Sequence, residues 1–181
     1  MKITGGAFKG RSIKQKVRDG VRPTASKVRE ALFNIIGAEI TDSRFLDLYA
    51  GTGVVGFEAL ARGVSKVFFV DKDIEAIEKL IKLHKYINCK TIQGDVKKVL
   101  ITLVKWGERF DLIYVDPPYE SDEIDSVLPI LSQILAKDGL IVIEHFHKKT
   151  MPINYEQLYK LKDYRYGDSM LSLYKGDANE Y

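Results

Sequence analysis

Residues 45–56, Phe45-Leu46-Asp47-Leu48-Tyr49-Ala50-Gly51-Thr52-Gly53-Val54-Val55-Gly56, read as a buried strand, a glycine turn and the first turn of a helix. Phe45–Tyr49 is a short apolar run interrupted by one acid, and Gly51, Gly53 and Gly56 form a complete G-x-G-x-x-G. In that setting the first two glycines allow a tight turn and close approach of a ligand to the backbone, and the third lets the helix pack against the sheet. Asp71 follows Gly51 by 20 residues at the end of the next apolar run, where a carboxylate can accept both hydroxyls of a ribose. The pattern predicts a nucleotide-type site and leaves the nucleotide open, since NAD enzymes carry the same fingerprint.

Strands and helices alternate outward from this turn. Strands are expected at Lys66–Val70, Lys90–Gln93, Phe110–Val115 and Leu140–Glu144, and helices at Val54–Arg62, from Asp73 to His84, at Val96–Trp106 and at Ile124–Ala136. Such alternation implies a parallel sheet covered by helices on both faces. Tyr155–Tyr164 and Met170–Lys175, separated by Tyr166-Gly167-Asp168-Ser169, are expected to close the chain with an antiparallel hairpin at the sheet edge. Before the glycine turn, Val28, Ala31, Leu32, Ile35 and Ile36 mark a helix that places Lys27, Arg29 and Glu30 on its other face. Residues 1–22 read as an irregular or hairpin-like extension.

Two features narrow the ligand. Asp47 stands just ahead of the glycine turn, where its charge would repel a pyrophosphate. An acid-rich pocket of Asp47, Asp71 and Asp95 suits S-adenosylmethionine, which has no phosphate and carries a sulfonium and an ammonium. Asp95 could accept the adenine amino group or merely cap the helix that follows it. The second feature is Asp116-Pro117-Pro118-Tyr119, directly after a strong strand. An exocyclic base amine is a poor nucleophile because its lone pair is delocalised into the ring. A carboxylate at Asp116 and the Pro117 carbonyl can accept its two N–H groups and favour charge growth on nitrogen as it attacks a sulfonium methyl. Pro117 and Pro118 rigidify that acceptor pair, and Tyr119 offers a face on which an extruded base can stack.

Composition bounds the rest. The 181 residues suffice for one domain, with 45% apolar residues, one Cys and no membrane-length apolar run. No secretory signal is recognisable and Cys89 has no partner for a disulfide, so a cytoplasmic protein is expected. His145 and His147 form an H-x-H without a third ligand, and no metal is expected. The net charge of +3 hides an asymmetry: residues 1–40 hold nine basic and three acidic side chains, and the remainder is net acidic. A basic arm of this kind fits a polyanion. The chain is accordingly divided into a basic extension with its helix, 1–40, and a body, 41–181.

DLYAGTG (47–53), VDKD (70–73), QGD (93–95) and DPPY (116–119) resemble the motifs of class I S-adenosylmethionine-dependent methyltransferases. TGGAFKGR (4–11) and RPTASKVREALFNII (22–36) resemble more narrowly the RsmD family, which methylates the N2 amine of a guanine in bacterial 16S rRNA. The similarity runs from Ile3 to the hairpin at 166–174. It implies a Rossmann-like α/β fold, a seven-stranded, mostly parallel sheet with its last strand inserted antiparallel. It further implies that Asp47, Tyr49, Gly51 and Gly53 line the methionine side, that Asp71 takes the ribose, and that Asp95 with the Val96 amide takes the adenine. Asp116, Pro117 and Tyr119 would hold the target base, and Arg22 and Thr24 would approach the methionine carboxylate. Lys9, Arg11 and Arg29 are assigned to RNA phosphates. The expected partner is 16S rRNA, within an assembling small subunit, acted on by a monomer. An adenine-N6 methyltransferase, an NAD(P)-dependent oxidoreductase and a non-enzymatic rRNA assembly factor are the competing readings.

Overall fold

The computed structural model describes residues 2–6, 10, 26–118 and 123–176. Five strands form the parallel part of the sheet: β1 (Arg44–Leu48), β2 (Lys66–Asp71), β3 (Cys89–Gln93), β4 (Phe110–Val115) and β5 (Leu135–Phe146). β6 (Asn154–Tyr155), β7 (Leu158–Tyr166) and β8 (Ser169–Gly176) continue it antiparallel, and the order is β3-β2-β1-β4-β5-β8-β7-β6. Among the described residues the sheet has eight strands, because the two-residue β6 pairs with β7 outside the seven expected. β8 enters between β5 and β7, so the hairpin contributes an interior strand as well as an outer one.

The parallel strands are apolar on both sides, as strands covered twice must be. Phe45, Val67, Phe69, Leu112 and Val142 pack beneath α1 (Ser26–Ile36), α2 (Val54–Ala61) and α3 (Glu75–His84). Leu46, Phe68, Val70, Ile113 and Ile141 pack against α4 (Val96–Lys105) and α5 (Glu123–Leu131) on the opposite face. Gly56 sets how closely α2 approaches, because a Cβ there would lie 2.2 Å from the Phe69 ring.

Two sequence expectations change. α5 stops at Leu131 and a 3-10 turn (Ser132–Ile134) leads directly into β5, so Leu135 and Ala136 belong to the strand. Pro129 lies inside the helix, which ends two residues later. The second change concerns α1, whose buried face is Val28, Arg29, Leu32, Phe33 and Ile36. Arg29 is wholly enclosed, its Nε 2.6 Å from Glu58 Oε2 and its Nη2 2.9 Å from the Lys2 carbonyl. It therefore cannot meet an RNA phosphate, and that assignment is withdrawn.

Glu58 on α2 gathers more than Arg29. It also accepts from the Thr4 hydroxyl and, at 2.8 Å, from Arg62. Gly6, at φ +70°, lies so close to the end of α2 that a Cβ would sit 1.9 Å from the Ala61 carbonyl oxygen. The Thr-Gly-Gly at 4–6 is thus pressed onto α2, and the ion cluster fastens this segment and α1 to the same helix.

Candidate functional site

The carboxyl ends of β1, β2, β3 and β4 meet at one edge of the sheet, where open α/β sheets place their ligands. At the end of β1 the chain turns through Tyr49 (φ +59°), Gly51 (φ +52°) and Gly53 (φ +71°). The Ala50 N–H donates to Val70 O at 3.1 Å and the Gly53 N–H to Ala50 O at 2.7 Å, which holds the turn against β2. Among the described residues, a Cβ on Gly51 would find only the Tyr49 carbonyl oxygen, at 3.9 Å.

Two of the three predicted acids brace this loop. Asp71 accepts the Gly51 N–H at 2.8 Å through Oδ2 and the Asp73 N–H at 2.9 Å through Oδ1. Asp47 is 1% exposed and accepts the Gly56 N–H at 3.0 Å. Burial pushes the Asp47 carboxyl up to about 7; the Gly56 N–H opposes the shift and the neighbouring Asp71 charge adds to it. Between about pH 4 and 7 the folded protein thus holds a proton that the unfolded chain releases, so stability falls as pH rises through that window. Asp47→Asn is expected to stabilise the fold at pH 8 by on the order of a few kcal/mol. The advantage should vanish near pH 4, and scanning calorimetry at the two pH values would check it; a gap that does not change with pH would contradict it.

Asp95 is exposed and its Oδ1 accepts the Lys98 N–H at 3.2 Å, which caps α4. Val96 begins that helix and is buried. The Gly94 N–H donates to Asp71 O at 3.0 Å and so joins the β3 end to the β2 end. Tyr49 is half-buried, and its ionisation is driven upward by burial, then by a hydrogen bond to Glu123 and the charge of Asp95. Glu123 was not singled out by the sequence. It lies in the first turn of α5, with Lys72 at 3.9 Å, and brings that helix to the edge where β1 ends.

Asp116 follows β4 and its N–H reaches Leu48 O at 3.5 Å, so the residue begins where β1 also ends. Pro117 is buried and Pro118 exposed. The structure thus brings Asp47, Tyr49, Gly51, Gly53, Asp71, Asp95, Val96, Asp116 and Pro117 to one edge. Lys9, Arg11, Arg22, Thr24 and Tyr119 lie outside the described residues. Arg29 is drawn away into the core, as described above. Of the histidine pair, His145 is enclosed, with Nε2 2.7 Å from Ser172 Oγ and Nδ1 3.0 Å from Phe146 O.

Known proteins are similar to this chain in sequence and in fold. The family model described as "Conserved hypothetical protein 95" matches residues 1–175. YlbH of Bacillus subtilis (strain 168) is 34% identical over 183 residues, covering 97% of this chain and 98% of that one. Ribosomal RNA small subunit methyltransferase D of Escherichia coli (strain K12) is 30% identical over 154 residues, covering 84% of this chain and 78% of that one. The solved structure of yhhF from Escherichia coli superposes with a TM-score of 0.86 at 28% identity, over 99% of each chain.

Proposed function

The chain belongs to the RsmD/YlbH family of S-adenosylmethionine-dependent rRNA methyltransferases, and from that premise we propose that it methylates the exocyclic N2 amine of a guanine in 16S rRNA. The observation that carries the reading is the placement of Asp116 and Pro117 beside the end of β1, next to a loop braced by two carboxylates. The residues present fit the cofactor. Among the described residues nothing crowds Gly51, and Asp47 is a buried acid whose charged form a cationic group would stabilise. A pyrophosphate in the same place would meet like charge. When bound, S-adenosylmethionine supplies a methyl group made electrophilic by its sulfonium.

The chain's own groups do the rest. Asp47, Tyr49, Gly51 and Gly53 shape the methionine side, with Arg22 and Thr24 approaching its carboxylate. Asp71 accepts from the ribose, and Asp95 with the Val96 N–H meets the adenine. Asp116 and the Pro117 carbonyl accept the two N–H groups of the target amine and hold its nitrogen in line. The proton leaves most simply after methyl transfer, when the nitrogen has become strongly acidic, so Asp116 need not be a strong base. Pro118 stiffens the turn and Tyr119 stacks on the extruded base. Lys9 and Arg11 take backbone phosphates. The protein acts as a monomer on a partly assembled small subunit, residues 1–40 supplying the basic grip and 41–181 the transfer site.

The deciding test is incubation of the purified protein with small-subunit particles and with protein-free rRNA lacking the modification, followed by nuclease digestion and mass spectrometry. N2-methylguanosine in the particle sample is the expected product. N6-methyladenosine would transfer the reading to the adenine rival. An absence of cofactor binding by calorimetry would point to an assembly factor. In the same binding assay, replacing Lys9 and Arg11 by Ala should flatten the salt dependence of RNA affinity by about one slope unit per lost contact; an unchanged slope would return both to ordinary surface charge.

A further inference from the structure

Glu144 lies near the end of β5 on the face covered by α1 and α2, following Leu140 and Val142. It is 2% exposed. Its Oε2 accepts the Tyr114 hydroxyl at 2.6 Å and its Oε1 the Ser169 hydroxyl at 2.9 Å. Tyr114 belongs to β4 and Ser169 opens β8, so one carboxylate links three strands at the edge that carries the site. Val115 pairs with Ile143, which makes Asp116 and Glu144 the next residues in line on two neighbouring strands, spaced by about 4.8 Å.

A sheet that needed only a core would continue the Leu140, Val142 row with another aliphatic residue. Burying a carboxylate costs several kcal/mol before its partners offset it, and well-packed apolar replacements of such groups are often as stable. Stability therefore does not account for Glu144. Its partners do: Tyr114 precedes Asp116 by two residues on β4, and fixing the Tyr114 hydroxyl fixes the strand end from which Asp116 and Pro117 project.

We propose that Glu144 is a positioning residue for methyl transfer: through Tyr114 on one side and Ser169 on the other, it holds the end of β4 so that the Asp116 carboxylate and Pro117 carbonyl meet the target amine in register. The proposal rests on the role given to Asp116 above. Displacement of an acceptor by about 1 Å costs on the order of 10²-fold in rate. Because the contact is made through Tyr114, the effect belongs to kcat and leaves the KM for the cofactor in place.

Four variants test it, assayed by transfer of labelled methyl to small-subunit rRNA at a temperature well below each melting point. Tyr114→Phe removes one link and should lower kcat about tenfold, and Glu144→Ala removes both and should lower it about 100-fold, with the cofactor KM within twofold of the parent. Glu144→Gln can still accept from Tyr114 through its oxygen and donate to Ser169 through its amide, so it should recover most of the activity. Parental kcat in Tyr114→Phe and Glu144→Ala would overturn the proposal. So would a matching loss of cofactor affinity, or a Glu144→Gln variant as slow as Glu144→Ala, which would show that the charge itself acts. Asp116→Ala in the same assay separates the two ideas. If it remains active, the role given to Asp116 fails; if it is inactive while the Glu144 and Tyr114 variants keep full rate, only the positioning role fails.

Discussion

Asp116→Ala should lose methyl transfer by roughly 10³-fold or more while the affinity for S-adenosylmethionine stays close to the parent. The base amine is activated only by acceptors for its two N–H groups, and the variant deletes the stronger of the pair. The remaining Pro117 carbonyl holds one hydrogen and leaves the nitrogen free to swing out of line. Asp116→Asn keeps an acceptor oxygen in its amide and loses only the charge, so it should lose far less than Asp116→Ala. The cofactor loop is braced separately by Asp71 on Gly51 and by Asp47 on Gly56, so it should survive either change. Isothermal calorimetry beside single-turnover label transfer reads both quantities, and a parallel loss of binding and rate would place Asp116 in the cofactor site instead.

Glu58→Ala should be the most damaging change to the fold, costing about 3–5 kcal/mol because it removes the carboxylate paired with the enclosed Arg29 guanidinium. For a protein of this size that corresponds to a melting point lower by roughly 10 °C. Burial alone would raise the Glu58 pKa, but hydrogen bonds from Thr4, Arg62 and Arg29, with the Arg29 charge, outweigh it and leave the group below the ordinary carboxylate range. Its stabilisation is accordingly present at neutral pH and lost as acid titrates the folded carboxylate. The deficit of Glu58→Ala relative to the parent should shrink towards low pH in thermal melts, and a deficit constant from pH 7 to pH 3 would show that ion pairing is not the cause.

The same cluster shows where sequence reading stops. The parallel sheet was legible because fully apolar runs such as Val67–Val70 and Leu112–Val115 have few other places to go, and the glycine turn because its spacing answers a definite backbone need. The spacing of Val28, Ala31, Leu32, Ile35 and Ile36 marks α1 as a helix, yet its inward face is Val28, Arg29, Leu32, Phe33 and Ile36. Arg29 was put outside because an arginine reads as solvent-facing unless its partner is known, and that partner is 29 residues away. Glu144 and Glu123 escaped for the same reason: a carboxylate's role is set by which hydroxyl meets it across the sheet or between helices. The end of α5 was overrun because Ile130, Leu131, Ile134 and Leu135 remain apolar through the helix, the turn and the start of β5, so hydropathy carries no break there.

The insertion of β8 between β5 and β7 has a bearing on how the molecule comes into being. β5 is complete at Phe146 but its second neighbour begins only at Ser169, and synthesis at about 5–20 residues per second puts roughly 1–5 s between them. During that interval the long, apolar β5 has an unpaired edge of the kind that recruits foreign strands. The charges of the segment that arrives next, Lys160, Lys162, Asp163 and Arg165 on β7, keep the waiting hairpin from being such a strand itself. Closure of the sheet is therefore a late event in the life of each new molecule, and nascent-chain truncations ending before Ser169 should be held by chaperones while those reaching Gly176 are released.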